Sequence, residues 1–505
     1  MATCGILQGH QEESMDLITQ EQIEALEPSR VWHYFYEISQ IPRESENETQ
    51  VREYLRQFAH KHDLAYSIDD AGNMVIRKAP SSGREHTPGL IFQGHMDMVC
   101  VKDPDSDHDF TKDPIPLAQD GDWMRAWGTT LGADNGIALA LILALFEDDS
   151  LDHGPLEAIL TVAEETGLEG AFGLNMSQIS GRMLINLDSE EEGVFYIGSA
   201  GGAEVTGTAD LSWELTEGNC LSWLPYTLTL SGFSGGHSGA DIHTGRANAV
   251  KECFRILKAV SRLCPIRIAS LSGGTKRNVI PSSCTAVFLI PPENEETLQA
   301  IFSELRDTIP KEYRETDPEC SLTLDEAPMP DRVLTEAQSS SLITCIYLVP
   351  HGIAGMSNAV PGMVETSNNL ASAYITETCI EIVTSQRSAV ESKRVHISQT
   401  VAAALALCCT EVKEMNPYPA WTPDPQSQLP SMLSRVYTDL YGREPVITAI
   451  HAGLECGVIN SKAPDMQSIS MGPTMEHVHS TREQVHISSV ARIYHFINEV
   501  VRRMA

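Results

Sequence analysis

The residues best suited to chemistry stand where apolar runs end. The run at 90–93 leads into Gly94-His95-Met96-Asp97, and side chains two apart on a strand share a face, so His95 and Asp97 project into one space at the strand's carboxyl end. A carboxylate there can accept the imidazole N–H and fix the tautomer of a metal-binding histidine. Standing alone, such a triplet reads first as hydrogen-bonding decoration. Asp134 follows in TTLGADNG (129–136), a turn placed directly before a helical stretch. A lone Asp in that position is an N-cap, but here two glycines and two threonines shape a tight bend after a strand-like approach. Downstream, LTVAEETG (160–167) puts Glu164 and Glu165 at another junction of strand and helix. Adjacent carboxylates raise each other's pKa unless a cation compensates them, so one can bind metal while the other stays free as a base. The simpler alternative has both acids facing the positive end of a helix. A further apolar strand, 183–187, stops at Asp188. Near the C-terminus a Gly- and Pro-shaped loop, 470–481, carries His477 and His479, either of which could be a ligand. Four successive strand ends thus each present His, Asp or Glu, and open α/β sheets bind ligands in the crevice at the carboxyl ends of their strands.

Two textures of sequence carry these residues. From 29 to 205 short β-branched runs alternate with amphipathic stretches, the pattern of an α/β unit, with strands at 90–93, 158–162 and 183–187 and helices at 28–41, 138–146 and from 165. Residues 206–416 read as an α+β domain, with strands at 226–231 and 285–290 and helices at 247–263 and 295–307. The Pro-rich segment 417–425 looks like a crossing back to the first domain, and 417–505 then supplies a helix, a strand at 445–450, a Gly-rich loop and a closing helix. Residues 1–28, polar and Glu-rich, read as a loosely held arm.

The 505 residues, 42% hydrophobic and 21% charged, can bury ample core. A net charge of −34 repels nucleic acid and anionic membrane surfaces and leaves small molecules as the expected partners. No run approaches the roughly 18–20 consecutive apolar residues of a membrane-spanning helix. Residues 1–20 lack a basic region followed by an apolar one, so the cytosol is the expected compartment. Twelve cysteines without a C-x-x-C pair, Cys408 and Cys409 adjacent among them, read as reduced thiols.

Taken in order, His95, Asp97, Asp134, Glu164, Glu165, Asp188 and His479 resemble the site residues of the dinuclear-zinc aminoacylases, dipeptidases and exocarboxypeptidases. The stretches HDFTKDPI (108–115), RAWGTTLGADNGI (125–137), HGPLEAILTVAEETGLEGAFGL (153–174), LINLDSEEEG (184–193), GGHSGADIH (235–243), GGTKRNVIP (273–281) and IHAGLECG (450–457) resemble one branch more closely, the carnosine-splitting aminoacyl-histidine dipeptidases. Together they extend over 89–505, while 317–358 matches weakly. The resemblance implies an α/β dinuclear-zinc exopeptidase catalytic domain with an inserted α+β lid. It implies that Asp134 bridges two metals, that His95 and Asp188 complete one site, and that Glu165 and His479 complete the other. Asp97 would orient His95, Glu164 would be the general base, and His237, Asn278, Arg387 and Gly453 would contact substrate.

On that basis the expected activity is hydrolysis of dipeptides, Xaa-His dipeptides such as β-alanyl-histidine above all. Two divalent ions carry four positive charges and Asp134, Glu165 and Asp188 return three, which favours a bridging hydroxide, formed from bound water whose proton Glu164 would take and pass to the leaving amine. Oxygen and imidazole ligands without thiolate suit Zn²⁺, and Mn²⁺ or Co²⁺ as well. Arg387 would pair with the free carboxylate of the substrate. A broader dipeptidase, an N-acyl amino-acid hydrolase or a carboxypeptidase would share every metal ligand. An inactive metal-binding regulatory protein on the same fold is the alternative from another class. The insert is long enough to supply His237 and Asn278 within one chain, so monomer and homodimer both stay open.

Overall fold

The computed structural model describes residues 17–504 apart from 220, 221, 359 and 361, so residues 1–16 of the expected arm lie outside the described residues. The rest of that arm is not loosely held. Thr19 caps a short helix, Gln20–Glu24, and Ile23 is fully buried. The next helix, Ser29–Ser39, buries Val31, Trp32, Tyr34, Phe35 and Ile38, the stripe of a helix laid on a core.

The chain forms two compact units. The first comprises Met1–Ile197, Asp424–Thr448 and Val458–Ala505, and the second Gly198–Pro423 and Ala449–Gly457. These unit limits, 197/198 and 423/424, differ from the domain limits expected at 205/206 and 416/417. The reason lies in one hydrogen-bond ladder. Strand Gly201–Asp210 pairs along its whole length with Cys379–Ser388 and, on its other edge, with Glu411–Tyr418, and a ladder of that kind cannot be divided between domains without orphaning its peptide groups.

In the first unit an eight-stranded sheet runs in the order Ala65–Ile68, Met74–Lys78, Leu156–Thr161, Leu90–His95, Met183–Asn186, Gln467–Ser470, Val194–Ser199, Val446–Ile450. The four strands from Leu156–Thr161 to Gln467–Ser470 are parallel to one another. Leu90–His95 and Leu156–Thr161 are buried at every position, as parallel strands covered on both faces must be. Helix Ala133–Glu147 is apolar around its circumference and buried from Asn135 to Phe146, so it runs through the core. A separate four-stranded sheet, in the order Met475–Glu476, Gln484–His486, Trp123–Ala126, Leu117–Asp120, pins both ends of the loop that carries His477 and His479.

The second unit is built on a nine-stranded antiparallel sheet. Helix Ala249–Ser261 inserts Val250, Cys253, Phe254 and Leu257 into its core. The weakly matching stretch 317–358 forms regular elements, including strand Ser321–Glu326, helix Glu336–Leu348 and strand Gly352–Met356. The ten cysteines among the described residues form no disulfide with one another, and Cys4 and Cys220 lie outside them. No described helix is long and apolar enough to cross a membrane.

A buried row of polar side chains crosses the four parallel strands just behind their carboxyl ends. Gln93 donates to Thr161 Oγ1 at 3.3 Å and accepts from Asn186 Nδ2 at 2.6 Å. Asn186 Oδ1 accepts from Ser470 Oγ, which lies 2.6 Å from Ser189 Oγ. A buried network of this sort fixes strand register only when its members are satisfied. Asn186→Ala removes a donor and an acceptor at once and leaves a cavity, so it should cost about 2–4 kcal/mol of stability, read from denaturant melts.

Candidate active site

The parallel sheet turns four distant segments toward one edge. Leu90–His95 ends on His95 itself, the chain after Leu156–Thr161 delivers Glu164 and Glu165, Met183–Asn186 is followed by Asp188, and Gln467–Ser470 leads into the loop of His479. Asp134 reaches the same place from another direction. Its turn follows Trp123–Ala126 of the small sheet, not a strand of the large one. Gly132 holds the N-cap position of helix Ala133–Glu147, while Asp134, in the first turn, has non-helical backbone (φ −80°, ψ 104°) and turns its carboxylate to the crevice. The N-cap alternative is thereby excluded. The helix-end alternative for Glu164 and Glu165 is excluded too, because the next helix begins only at Glu169.

Asp134 divides the site. Its Oδ1 lies 3.1 Å from His95 Nε2, and the same nitrogen is 3.4 Å from Asp188 Oδ1. Its Oδ2 lies 3.1 Å from His479 Nε2, which is 2.9 Å from Glu165 Oε1. Each carboxylate oxygen of Asp134 thus faces one imidazole, and a second carboxylate faces each imidazole. Ligand atoms of His95, Asp134 and Glu165 all fall within 4.8 Å of one another. His477 is exposed, and its carbonyl accepts from Ser480 Oγ at 2.6 Å. Of the two candidate histidines, only His479 joins the cluster.

Asp97 is fully buried behind His95. His95 Nδ1 sits 3.2 Å from both the carbonyl and Oδ1 of Asp97, which assigns the ring proton to Nδ1 and leaves Nε2 facing the crevice. Asp97 also accepts from Ser45 Oγ at 2.8 Å and from the N–H groups of Glu164 and Glu165 at 3.1 and 3.2 Å. One carboxylate therefore orients the histidine and anchors the backbone of the paired glutamates. The donations from Ser45, His95 and Glu164 outweigh the upward push of burial and hold Asp97 down to about 2.

The electrostatics suit a cation. Burial alone would lower the His479 imidazole, yet its bonds to Asp134 and Glu165 raise it to about 11. His95 is likewise raised, against burial, by Asp188, Asp134 and Asp97. Burial pushes Asp188 up to about 6, and burial with the neighbouring Asp134 raises Glu165. Three crowded carboxylates thus create a strongly negative crevice, and oxygen and imidazole donors so arranged fit a hard or borderline divalent ion.

The remaining expected residues belong to the second unit. His237 Nδ1 accepts the N–H of Ala240 at 3.0 Å, so the ring proton lies on Nε2, where it can be donated to an oxygen. Asn278 is exposed, and its carbonyl receives the N–H of Ser238 at 2.8 Å. Arg387 is 8% exposed, donates from Nη1 to Tyr418 Oη at 2.8 Å and keeps a buried Nε without a hydrogen-bond partner among the described residues. Gly453 lies against the Tyr418 ring, where an added Cβ would come within 2.9 Å of Cε2. Residues absent from the expectations also gather here. His451 Nε2 meets Ser367 Oγ at 2.7 Å, and burial with the nearby Arg387 charge lowers its imidazole to about 3. His451 stands inside the IHAGLECG motif, which was the available signal; Tyr418 had none. In the first unit Asn135 was missed as well. It accepts from His95 N at 3.2 Å and donates to Asp188 Oδ1 at 2.8 Å, and its signal was its place beside Asp134.

An α/β unit with this donor set at its strand ends is that of a metallopeptidase, and the comparisons with known proteins agree. Residues 228–317 match a family described as the peptidase dimerisation domain. The cytosol non-specific dipeptidase of Escherichia coli (strain K12) is 35% identical over 96% of this chain and 99% of its own length. The crystal structure of aminoacylhistidine dipeptidase from Vibrio alginolyticus superposes with a TM-score of 0.83 at 34% identity, covering 96% of this chain and 98% of that one. Aminopeptidase PepT from Bacillus cereus, at 15% identity and a TM-score of 0.55 over 95% and 99% of the two chains, shares the fold. The chain belongs to the M20 family of metallopeptidases, in the branch of the aminoacyl-histidine dipeptidases.

The geometry separates a shared carboxylate from one that acts through a histidine. Asp134→Ala should empty or disorder the whole centre, whereas Asp97→Ala should weaken metal affinity by about 10- to 100-fold. Elemental analysis under limiting metal checks this: equal metal content in the two variants contradicts the distinction.

Proposed function

We propose that the protein hydrolyses Xaa-His dipeptides, β-alanyl-histidine among them, with two divalent ions, Zn²⁺ in the first instance and Mn²⁺ or Co²⁺ as alternatives. One ion would be held by His95, Asp134 and Asp188 and the other by Asp134, Glu165 and His479. The observation that carries the reading is the division of Asp134, each oxygen of which faces its own imidazole and carboxylate. Bound there, the ions supply Lewis acidity that polarises the peptide carbonyl and acidifies water.

The chain's own groups do the rest. Glu164, half-buried and with its N–H anchored on Asp97, takes the proton of the attacking water and returns it to the leaving amine nitrogen. His237, protonated on Nε2, donates to the oxyanion. Arg387 receives the free carboxylate: a buried guanidinium that gives Nη1 to a phenol and keeps a buried Nε without a hydrogen-bond partner among the described residues is matched by a planar anion. Asn278 and Gly453 complete the substrate contacts. The relative named cytosol non-specific dipeptidase favours a second reading, dipeptide hydrolysis of broader scope, and its name also supports a cytosolic protein. The dimerisation-domain match supports a homodimer.

Two measurements test the proposal. Glu164→Gln should retain its metal by elemental analysis and lose several orders of magnitude in turnover, because the amide keeps the shape and cannot accept a proton; activity within about tenfold of wild type at intact metal content overturns the assignment. A dipeptide panel varied at the C-terminal residue decides the substrate, with preferential cleavage of Xaa-His expected. Efficient cleavage of dipeptides lacking His, with none of β-alanyl-histidine, selects the broader reading. In the same panel Arg387→Ala and amidation of the substrate's C-terminus should each cost roughly 2–5 kcal/mol in kcat/KM. Their effects should not add when combined, since both remove one interaction.

A further inference from the structure

Behind the Asp134 turn lie two charged residues that no step of the proposed reaction uses. Glu483 is 3% exposed and accepts three backbone N–H groups: Leu131 at 2.8 Å and Gly132 at 3.0 Å on Oε2, and Asp134 at 3.2 Å on Oε1. Arg43, also 3% exposed, donates to the carbonyls of Met96 at 3.2 Å and Asp97 at 2.9 Å and to that of Gly132. Gly132 is therefore gripped twice, its N–H by Glu483 and its carbonyl by Arg43. The turn's glycines make the room. A Cβ on Gly132, at φ +69°, would lie 2.5 Å from Arg43 Nη2, and one on Gly136 would lie 2.7 Å from the same atom.

Burying a guanidinium and a carboxylate is costly unless each has compensation. Here the strongest attractive field on Arg43 is that of Glu483, ahead of Asp97 and Asp134. The two charges tie together three segments that supply the crevice. Arg43 holds the end of the His95–Asp97 segment, both hold the Asp134 turn, and Glu483 stands four residues beyond His479 at the base of its loop, next to strand Gln484–His486.

We infer that Arg43 and Glu483 are positioning residues that set the direction of the Asp134 carboxylate and so the metal affinity of both halves of the centre. The inference rests on the reading of that centre as a metal site. Glu483 fixes the peptide N–H of Asp134, and Arg43 fixes the preceding peptide groups, so the side chain enters the crevice without a search over backbone rotamers. Their contribution therefore appears as metal affinity.

The test is a Zn²⁺ titration of the metal-stripped full chain against a competing chromophoric chelator, with thermal melting alongside. Glu483→Gln leaves a single oxygen for N–H groups that approach from two sides. The double variant Arg43→Met/Glu483→Gln also removes the uncompensated cation, and replacing both members of a buried pair by neutral groups is commonly tolerated by the fold. The double variant should melt close to wild type and bind Zn²⁺ about 10- to 100-fold more weakly, as loss of a group behind the ligands does. Metal affinity within about threefold of wild type in a folded variant overturns the inference, whatever the melting temperature. If the double variant does not fold, Glu483→Asp decides by the same criterion, since it keeps the charge and withdraws the acceptor by one methylene. Wild type and Asp134→Ala in the same titration separate the two readings. Fewer than two ions in wild type, or two in Asp134→Ala, refutes the metal centre itself; normal behaviour of both with unchanged Glu483 variants refutes only the positioning role.

Discussion

Asp134, Glu165 and Asp188 bring three carboxylates into one partly buried crevice, and like charges at such range raise one another's pKa and oppose folding unless something positive stands among them. Two imidazoles lie between them, each raised well above its usual range by the acids it faces. Divalent ions held by these same groups would relieve the repulsion with greater charge. The rest of the first unit is arranged around that constraint. Parallel strands deliver His95, Glu165 and Asp188 to one edge, and a polar row through Thr161, Gln93, Asn186 and Ser470 locks their relative register a few ångströms behind it. Asp97 then takes the one task left by this arrangement, holding the His95 tautomer and the Glu164 and Glu165 backbone with two oxygens.

The second unit solves the opposite electrostatic problem. It buries a cation, Arg387, gives one of its nitrogens a phenol and leaves its Nε without a partner among the described residues. His451, the other basic group beside it, is kept neutral by burial and by the Arg387 charge itself, so the positive charge stays localised on one planar fork. His237 is set as an Nε2 donor by a backbone N–H that occupies its other nitrogen.

How much of this was legible in the chain differs by residue, and the differences have physical causes. His95, Asp97, Glu164, Glu165 and Asp188 announce themselves because each stands where an apolar run stops, and a strand's length and its end are local properties of sequence. The apolar pattern ends the strand at Gln93, two residues short: Gly94 and His95 interrupt that pattern, yet they continue the ladder beside Leu160 and Thr161. Asp134 stands after a strand as its turn suggests, but that strand, Trp123–Ala126, belongs to the small sheet and not to the series of large-sheet strand ends.

The sequence by itself determined the element types, the two textures of the chain and the residues able to bind metal, because these follow from periodicity, turn chemistry and donor type along a short stretch. Donor type and spacing left His477 and His479 open and only the resemblance singled out His479; only the tertiary structure set His479 against Asp134 and Glu165, placed the unit boundaries at 197/198 and 423/424, and gave Arg43, Asn135, Tyr418, His451 and Glu483 their contacts. Those decisions turn on contacts across long separations, 351 residues between Glu483 and Gly132 and 345 between His479 and Asp134. No local pattern encodes such pairs. They exist because a parallel sheet takes strands from distant parts of the chain and aligns their carboxyl ends, so that proximity is set by strand order and not by position in the sequence.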